Sequence, residues 1–138
     1  HDALPIYLIR PKEEDMANII VLDDVLDAGE MIKRILERKG HSVGVFTEEH
    51  EALEYVQKNT VHLAILDIKL KKMSGVDVLK ELRHVSPQTE VLMLTGYPTL
   101  ETAREALNLG AKEYLVKPID KNELEEKVAA VCEQMEQS

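Results

Sequence analysis

Tryptophan is absent from this chain, phenylalanine and cysteine occur once each, and every scarcity closes a route. With no Trp and one Phe there is little to sandwich a flavin ring. The single Cys132 cannot form an internal disulfide, which fits a reducing compartment. It falls in the apolar pattern of the last helical segment, so it reads as a small core residue rather than a nucleophile. No apolar run approaches the roughly 20 residues that span a bilayer, and no secretory segment follows a basic start. The expected location is the cytoplasm. Positive charge is also short, with 17 Lys and Arg against 26 Asp and Glu and a formal net charge of −9. No Lys/Arg run stands out, so direct binding to nucleic acid or to an anionic membrane is disfavoured. Partners are expected among cations and proteins. His1, His41, His50, His62 and His84 include no pair at metal-ligand spacing; they read as surface residues, with no zinc site.

What the chain does have is a regular alternation. Its 138 residues, 44% of them hydrophobic, are enough for one domain with a real core. The first fifteen, "HDALPIYLIRPKEED", do not share the periodicity that follows and are expected to be a leftover of recombinant expression or an N-terminal extension, without a functional role. Residues 16–138 form the expected domain. Short β-rich runs, Asn18 to Asp23, Ser42 to Phe46, Val61 to Leu66, Glu90 to Leu94 and Glu113 to Val116, alternate with segments of helical period. Those segments run from about Leu26 to Lys39, Glu48 to Lys58, Val76 to Val85, Leu100 to Leu109 and Lys121 to Gln134. Gly40 and Gly110 mark stops, Thr99 a cap, and Leu124, Val128, Val131 and Met135 an apolar stripe on the last helix. Five βα units predict a doubly wound α/β sandwich, flavodoxin-like, with a parallel five-stranded sheet in the order 2-1-3-4-5. Such sheets bind ligands beyond the carboxyl ends of their strands.

Chemistry gathers at those ends. The first predicted strand stops at Asp23-Asp24 ("IIVLDD"), the third at Asp67 ("AILDIKL"), the fourth at Thr95 ("LMLTGY") and the fifth at Lys117-Pro118 ("YLVKP"). Singly, each is most often a turn or a cap. Together they put three carboxylates, a hydroxyl and an ammonium on one rim. Such carboxylates titrate as a coupled set and are costly without a cation. An oxygen-only site suits Mg²⁺. A carboxylate can attack phosphorus if the charge developing on the phosphoryl oxygens is neutralised, which the metal, Lys117 and Thr95 can do together.

In the order and spacing of these pieces, with Gly75 eight residues past Asp67 and "GAKEYLVKP" near the end, the chain from about Asn18 onward resembles the receiver domain of two-component response regulators, the CheY-like superfamily. The resemblance implies a phosphorelay protein whose Asp67 accepts a phosphoryl group from a histidine kinase or phosphotransfer protein. It implies Mg²⁺ held by Asp24 directly, by Asp23 mainly through water, by Asp67, and by the Lys69 backbone carbonyl. Thr95 and Lys117 would contact the phosphoryl oxygens, and Lys117-Pro118 would be cis. Tyr114, three residues before that lysine, matches an aromatic switch position that would rotate as Thr95 moves. The face of the fourth helix, fifth strand and fifth helix would change, meeting a downstream effector or a second copy. Such a domain acts on no external substrate; it catalyses its own phosphorylation and dephosphorylation.

The departures matter too. The family usually has Met-Pro soon after the phosphoacceptor, where "DIKLKKMSG" has Leu70-Lys71. Lys69 and Tyr97 stand two residues past Asp67 and Thr95, at positions that tune how fast water removes the phosphoryl group; a long cation and a bulky ring predict a long-lived one. Among rivals, a haloacid-dehalogenase-like phosphatase would want Asp-x-Asp after the first strand, which "LDDVLDAGE" does not offer, and no P-loop occurs. A module of the same fold that is never phosphorylated and acts through protein contacts alone remains the alternative. It would have no need of the full set Asp23, Asp24, Asp67, Thr95 and Lys117.

Overall fold

The computed structural model describes residues 16–70, 73–96 and 99–137. Five strands, β1 (Asn18–Leu22), β2 (Ser42–Phe46), β3 (Leu63–Asp67), β4 (Glu90–Thr95) and β5 (Glu113–Val116), alternate with five helices, α1 (Leu26–Glu37), α2 (Glu49–Lys58), α3 (Gly75–Val85), α4 (Leu100–Asn108) and α5 (Lys121–Gln137). All strand pairs are parallel, in the order β2-β1-β3-β4-β5. The doubly wound sheet predicted from the alternation is therefore the observed fold.

The β period of two sorts the core into two layers. Ile19, Val21, Leu63, Ile65, Leu92, Leu94 and Leu115 face Ile32 and Leu36 of α1 and Leu124, Val128, Val131 and Cys132 of α5. Their alternates Ile20, Leu22, Ala64, Leu66, Val91 and Met93 face Ala52 and Val56 of α2, Val78, Leu79 and Leu82 of α3, and Ala106 of α4. Both faces of the inner strands are covered, which is why those strands read as unbroken apolar runs. Cys132 sits in the core as expected; the side chain of Met135 lies outside the described residues.

The boundaries follow local chemistry. Ser74 caps α3 by accepting from the Asp77 N–H at 3.2 Å, and Thr99 caps α4 by accepting from Thr102 at 3.1 Å. Gly40 and Gly110 adopt φ of +97° and +98°, a region glycine enters without a Cβ penalty, so both helical segments end there. The third strand begins and ends later than its apolar run, because Val61 packs from the preceding loop while Asp67 stays paired with Leu94. Among the described residues no helix is long and apolar enough to cross a membrane.

One expectation fails. The histidines do not all lie on the surface: His41 is buried and His62 is half-buried. At the amino end of the sheet a strand start has amide groups that no neighbouring strand reaches, and these two rings fill that need. The His41 Nδ1 accepts the Ala17 N–H at 3.0 Å and the His62 Nδ1 accepts the Asn18 N–H at 2.9 Å.

Candidate functional site at the carboxyl rim

Because β1 and β3 are adjacent and in register, Leu22 opposite Leu66, the residues that follow them emerge side by side. Carboxylate oxygens of Asp23, Asp24 and Asp67 lie within 4.8 Å of one another. Asp23 is fully buried and Asp67 nearly so, at 0% and 4% exposure, while Asp24 is half-buried. Lys117 reaches in from the end of β5, its Nζ donating to Asp23 Oδ2 at 2.8 Å and to Asp67 Oδ2 at 2.9 Å. The remaining oxygens of the two buried acids accept backbone amides. Asp23 Oδ1 takes the Val25 N–H at 2.9 Å, and Asp67 Oδ1 takes the Lys69 N–H at 3.0 Å. Each pair spans two residues, the turn geometry that aspartate side chains favour.

Three carboxylates against one ammonium leave two negative charges. Burial pushes the Asp67 carboxyl above its usual range, the Asp23 charge adds to that push, and the bonds from Lys117 and from the Lys69 amide oppose it. Burial works against the Lys117 charge, but its hydrogen bonds to Asp23 and Asp67 outweigh that and raise it above the ordinary lysine value. It stays an ammonium at neutral pH. Among the described residues no hydrogen bond or ion pair engages the Asp24 carboxylate, which faces the same gap with its lone pairs uncommitted. A compact set of hard oxygen donors with an unmet charge of two suits a divalent cation of the Mg²⁺ class.

The other candidates surround this core. Thr95, buried at the end of β4, holds the base of Lys117 in place, its carbonyl accepting the Lys117 N–H at 2.7 Å. The Lys117-Pro118 peptide is cis, as expected. Tyr114 pairs with Met93 across β4 and β5 and packs on the same core layer. Strand alternation puts Thr95 on that face as well. The Tyr114 hydroxyl is buried with no hydrogen-bond partner among the described residues, not in water as a surface strand aromatic would be. Lys69 is exposed at its side chain, and Tyr97 lies outside the described residues, as do Lys71 and Lys72.

Two features of the rim went unread in the sequence. One is Lys117 as an internal counter-ion bridging Asp23 and Asp67, hidden because separations of 94 and 50 positions carry no spacing signal. The other is the close approach of Gly75. A Cβ there would meet the Asp67 carbonyl oxygen at 2.2 Å, and the Gly75 N–H closes the loop on the Ile68 carbonyl at 2.7 Å. A glycine opening a helix eight residues after the rim aspartate was the available clue.

The sequence pattern of the response regulator receiver domain matches residues 19–129. This chain belongs to that family. The receiver chain is 34% identical over 111 residues to the transcriptional regulatory protein ZraR of Escherichia coli (strain K12), an alignment covering 80% of this chain and 25% of ZraR. It is 34% identical over 106 residues to the transcriptional regulatory protein DltR of Streptococcus agalactiae, covering 77% of this chain and 47% of DltR. The receiver therefore spans about a quarter to a half of these curated relatives. Among solved structures, a CheY-like response regulator receiver domain protein from Methanospirillum hungatei JF-1 superposes with a TM-score of 0.84 at 31% identity, over 88% of this chain and 98% of that one. The chemotaxis protein CheY4 of Vibrio cholerae gives 0.79 at 30% identity, over 84% and 98%. The five-stranded order and the resemblance read from "IIVLDD", "LMLTGY" and "YLVKP" agree with these relationships.

Proposed function

We propose that this receiver domain takes a phosphoryl group onto Asp67 from a phosphohistidine donor on a histidine kinase or phosphotransfer protein. The observation that carries the reading is the unmet charge at the rim, where three aspartates converge on one lysine. An Asp67 carboxylate oxygen attacks phosphorus; the bond from phosphorus to the donor's imidazole nitrogen breaks and that nitrogen keeps the electron pair. Lys117 is held where its ammonium can follow the charge from the carboxylates to the phosphoryl oxygens, and the Thr95 hydroxyl is the further donor within the same rim.

Asp24 would hold Mg²⁺ directly, with Asp67 and the Lys69 carbonyl as further ligands and Asp23 acting mainly through water. Bound there, Mg²⁺ would neutralise charge developing on the transferred group. Asp24 suits the direct role because, alone of the three, its carboxylate has no protein partner among the described residues.

Phosphorylation would draw Thr95 toward the new oxygens and change what the neighbouring Tyr114 ring packs against, altering the face formed by α4, β5 and α5. Leu107 on α4 and Val116 on β5 are exposed at 51% and 43%, which supports a protein contact there, with an effector or a second copy. Lys69 and Tyr97 would slow water's access to the phosphoryl group. The chain thus acts on itself and not on an external substrate.

The test is the intact mass after incubation with acetyl phosphate, with and without Mg²⁺, beside Asp67→Ala. One phosphoryl group gained by the wild type alone, and only with the metal, is the expected result. No gain under any condition would overturn the reading in favour of a module that signals by protein contacts alone.

A further inference from the structure

The amino end of the sheet carries a second polar device that the phosphoacceptor reading does not use. β1 is an inner strand whose entrance, Ala17 and Asn18, lies ahead of its ladder with β3, which begins at Ile19. Each of them is gripped twice by one neighbour. On the β2 side the Ala17 carbonyl accepts the Ser42 N–H at 3.0 Å while the Ala17 N–H donates to the His41 ring at 3.0 Å. On the β3 side the Asn18 carbonyl accepts the His62 N–H at 2.9 Å while the Asn18 N–H donates to the His62 ring at 2.9 Å. Both rings act through Nδ1 as acceptors; for the buried His41 that role requires the neutral form with its proton on Nε2.

The geometry points to a pH-gated clasp in which protonation of His41 turns its Nδ1 from acceptor into a donor facing the Ala17 N–H and releases the entrance of β1, with the His62 ring holding the adjoining Asn18 amide. Only imidazole, among side chains, makes that change near neutral pH. The groups around each ring set how readily it happens. His41 borders a cleft of about 660 Å³ between the end of α1 and α5, with Lys39 on one wall and Glu125, Glu126 and Glu133 on the other. Lys39 is 4.0 Å from Glu125, so part of that acidic wall is already balanced. Cys132 closes the cleft from the core side. Burial dominates and holds the His41 ring below its ordinary 6.5. Around His62, the Thr60 carbonyl accepts the Asn18 side-chain amide at 3.2 Å. The nearby Glu90, whose N–H donates to the His62 carbonyl, has its carboxylate 3.5 Å from Lys112. Glu126 and Glu133 stand exposed on the cleft wall, and among the described residues no carboxylate is hydrogen-bonded to the His41 ring.

The sign follows from the lowered His41 value. The folded chain binds fewer protons there than the unfolded one, so the contribution is whole above 6.5 and is lost as pH falls below it. From Ile19 onward β1 keeps its backbone pairs to Val43 and Leu63, so release stays local to residues 16–18.

Ring-nitrogen NMR of the wild type across about pH 7.5 to about pH 5, with amide exchange of Ala17 and Asn18 expressed as protection, tests the clasp. The His41 ring is expected to carry its proton on Nε2 at the upper end, and protection at the Ala17 amide is expected to drop about tenfold as that ring charges, the equivalent of one hydrogen bond of roughly 1.4 kcal/mol. His41→Asn keeps an acceptor oxygen close to the Nδ1 position without a titrating ring, and should abolish that drop. Unchanged Ala17 protection while the His41 ring protonates, or a proton on its Nδ1 at neutral pH, would overturn the proposal. The wild-type measurements decide it even where a variant does not fold.

Discussion

The two ends of this sheet handle polar groups in opposite ways. At the amino end the strand amides just described have found neutral partners: imidazole nitrogens accept them. Nearby, Ser86 Oγ lies 2.6 Å from Thr89 Oγ1, which in turn donates to the Val61 carbonyl at 2.8 Å. At the carboxyl end three acidic groups share one ammonium, and burial raises the Asp67 carboxyl instead of stabilising its charge. The first arrangement lowers the free energy of the fold. The second leaves charge unmatched, which is what a site that must attract a cation and an anionic group requires.

The contrast breaks most severely if Lys117 is removed. In Lys117→Met the buried Asp23 and Asp67 lose their common counter-charge. Phosphorylation from acetyl phosphate at neutral pH is expected to fall about 100-fold or more, as for loss of a donor aimed at developing charge. Stability at neutral pH should fall by about 2 kcal/mol, allowing for partial exposure of the ammonium. Asp67, freed of the group that opposed its raised pKa, would hold its proton to still higher pH. Part of the lost stability should then return on acidification, while the acid limb of the pH profile for phosphorylation moves upward. Denaturant melts at several pH values check the first and initial rates the second. A variant as stable as the wild type at every pH would contradict the counter-ion role.

A steric change at the same end comes next. In Gly75→Ala the added methyl would meet the Asp67 carbonyl oxygen, part of the backbone rather than the tip of a flexible side chain. Overpacking of this kind costs about 1–3 kcal/mol, and the displaced loop should slow phosphorylation as well. At the opposite end the matching change is Thr89→Val, which strips the Val61 carbonyl and the Ser86 hydroxyl of their partner. A loss of about 1–2 kcal/mol with an unchanged phosphorylation rate would keep the two ends separate in function.

How much of this was readable in the sequence depends on whether the signal was local. The apolar alternation from Ile19 to Val21 and from Leu63 to Leu66 gave the strands, and capping residues such as Thr99 and Ser74 sit where local hydrogen bonds end helices. Parallel βα topology then brings Asp24, Asp67, Thr95 and Lys117 to one rim, since every strand runs the same way. What was not readable is which atom bonds which. That Lys117 bridges two aspartates, that the His41 ring takes the Ala17 amide and that Gly75 lies too near the Asp67 carbonyl to carry a Cβ are all contacts outside the local pattern. A lone histidine ahead of a strand looks the same whether its ring is in water or on an amide.

The smallest expected effect probes the one polar group near the rim that behaves like neither end. The Tyr114 hydroxyl is buried without a partner among the described residues, although the strand around it is well tied. Its carbonyl accepts from Lys127 Nζ at 2.8 Å, and Lys127 also pairs with Glu113 at 3.2 Å. β5 is thus fixed to α5 through its backbone, and the ring's packing against the Met93 layer does not depend on the hydroxyl. Removing an unsatisfied buried hydroxyl relieves its desolvation, so Tyr114→Phe should stabilise the protein by about 0.5–1 kcal/mol, a rise of a few degrees in Tm for a domain of this size. If the inward ring is one of two positions coupled to Thr95, the same substitution should also favour that position, and amide protection on β5 and α4 should increase without phosphorylation. A fall in Tm would mean that the hydroxyl is hydrogen-bonded after all, and the ring would then be an ordinary satisfied part of the core.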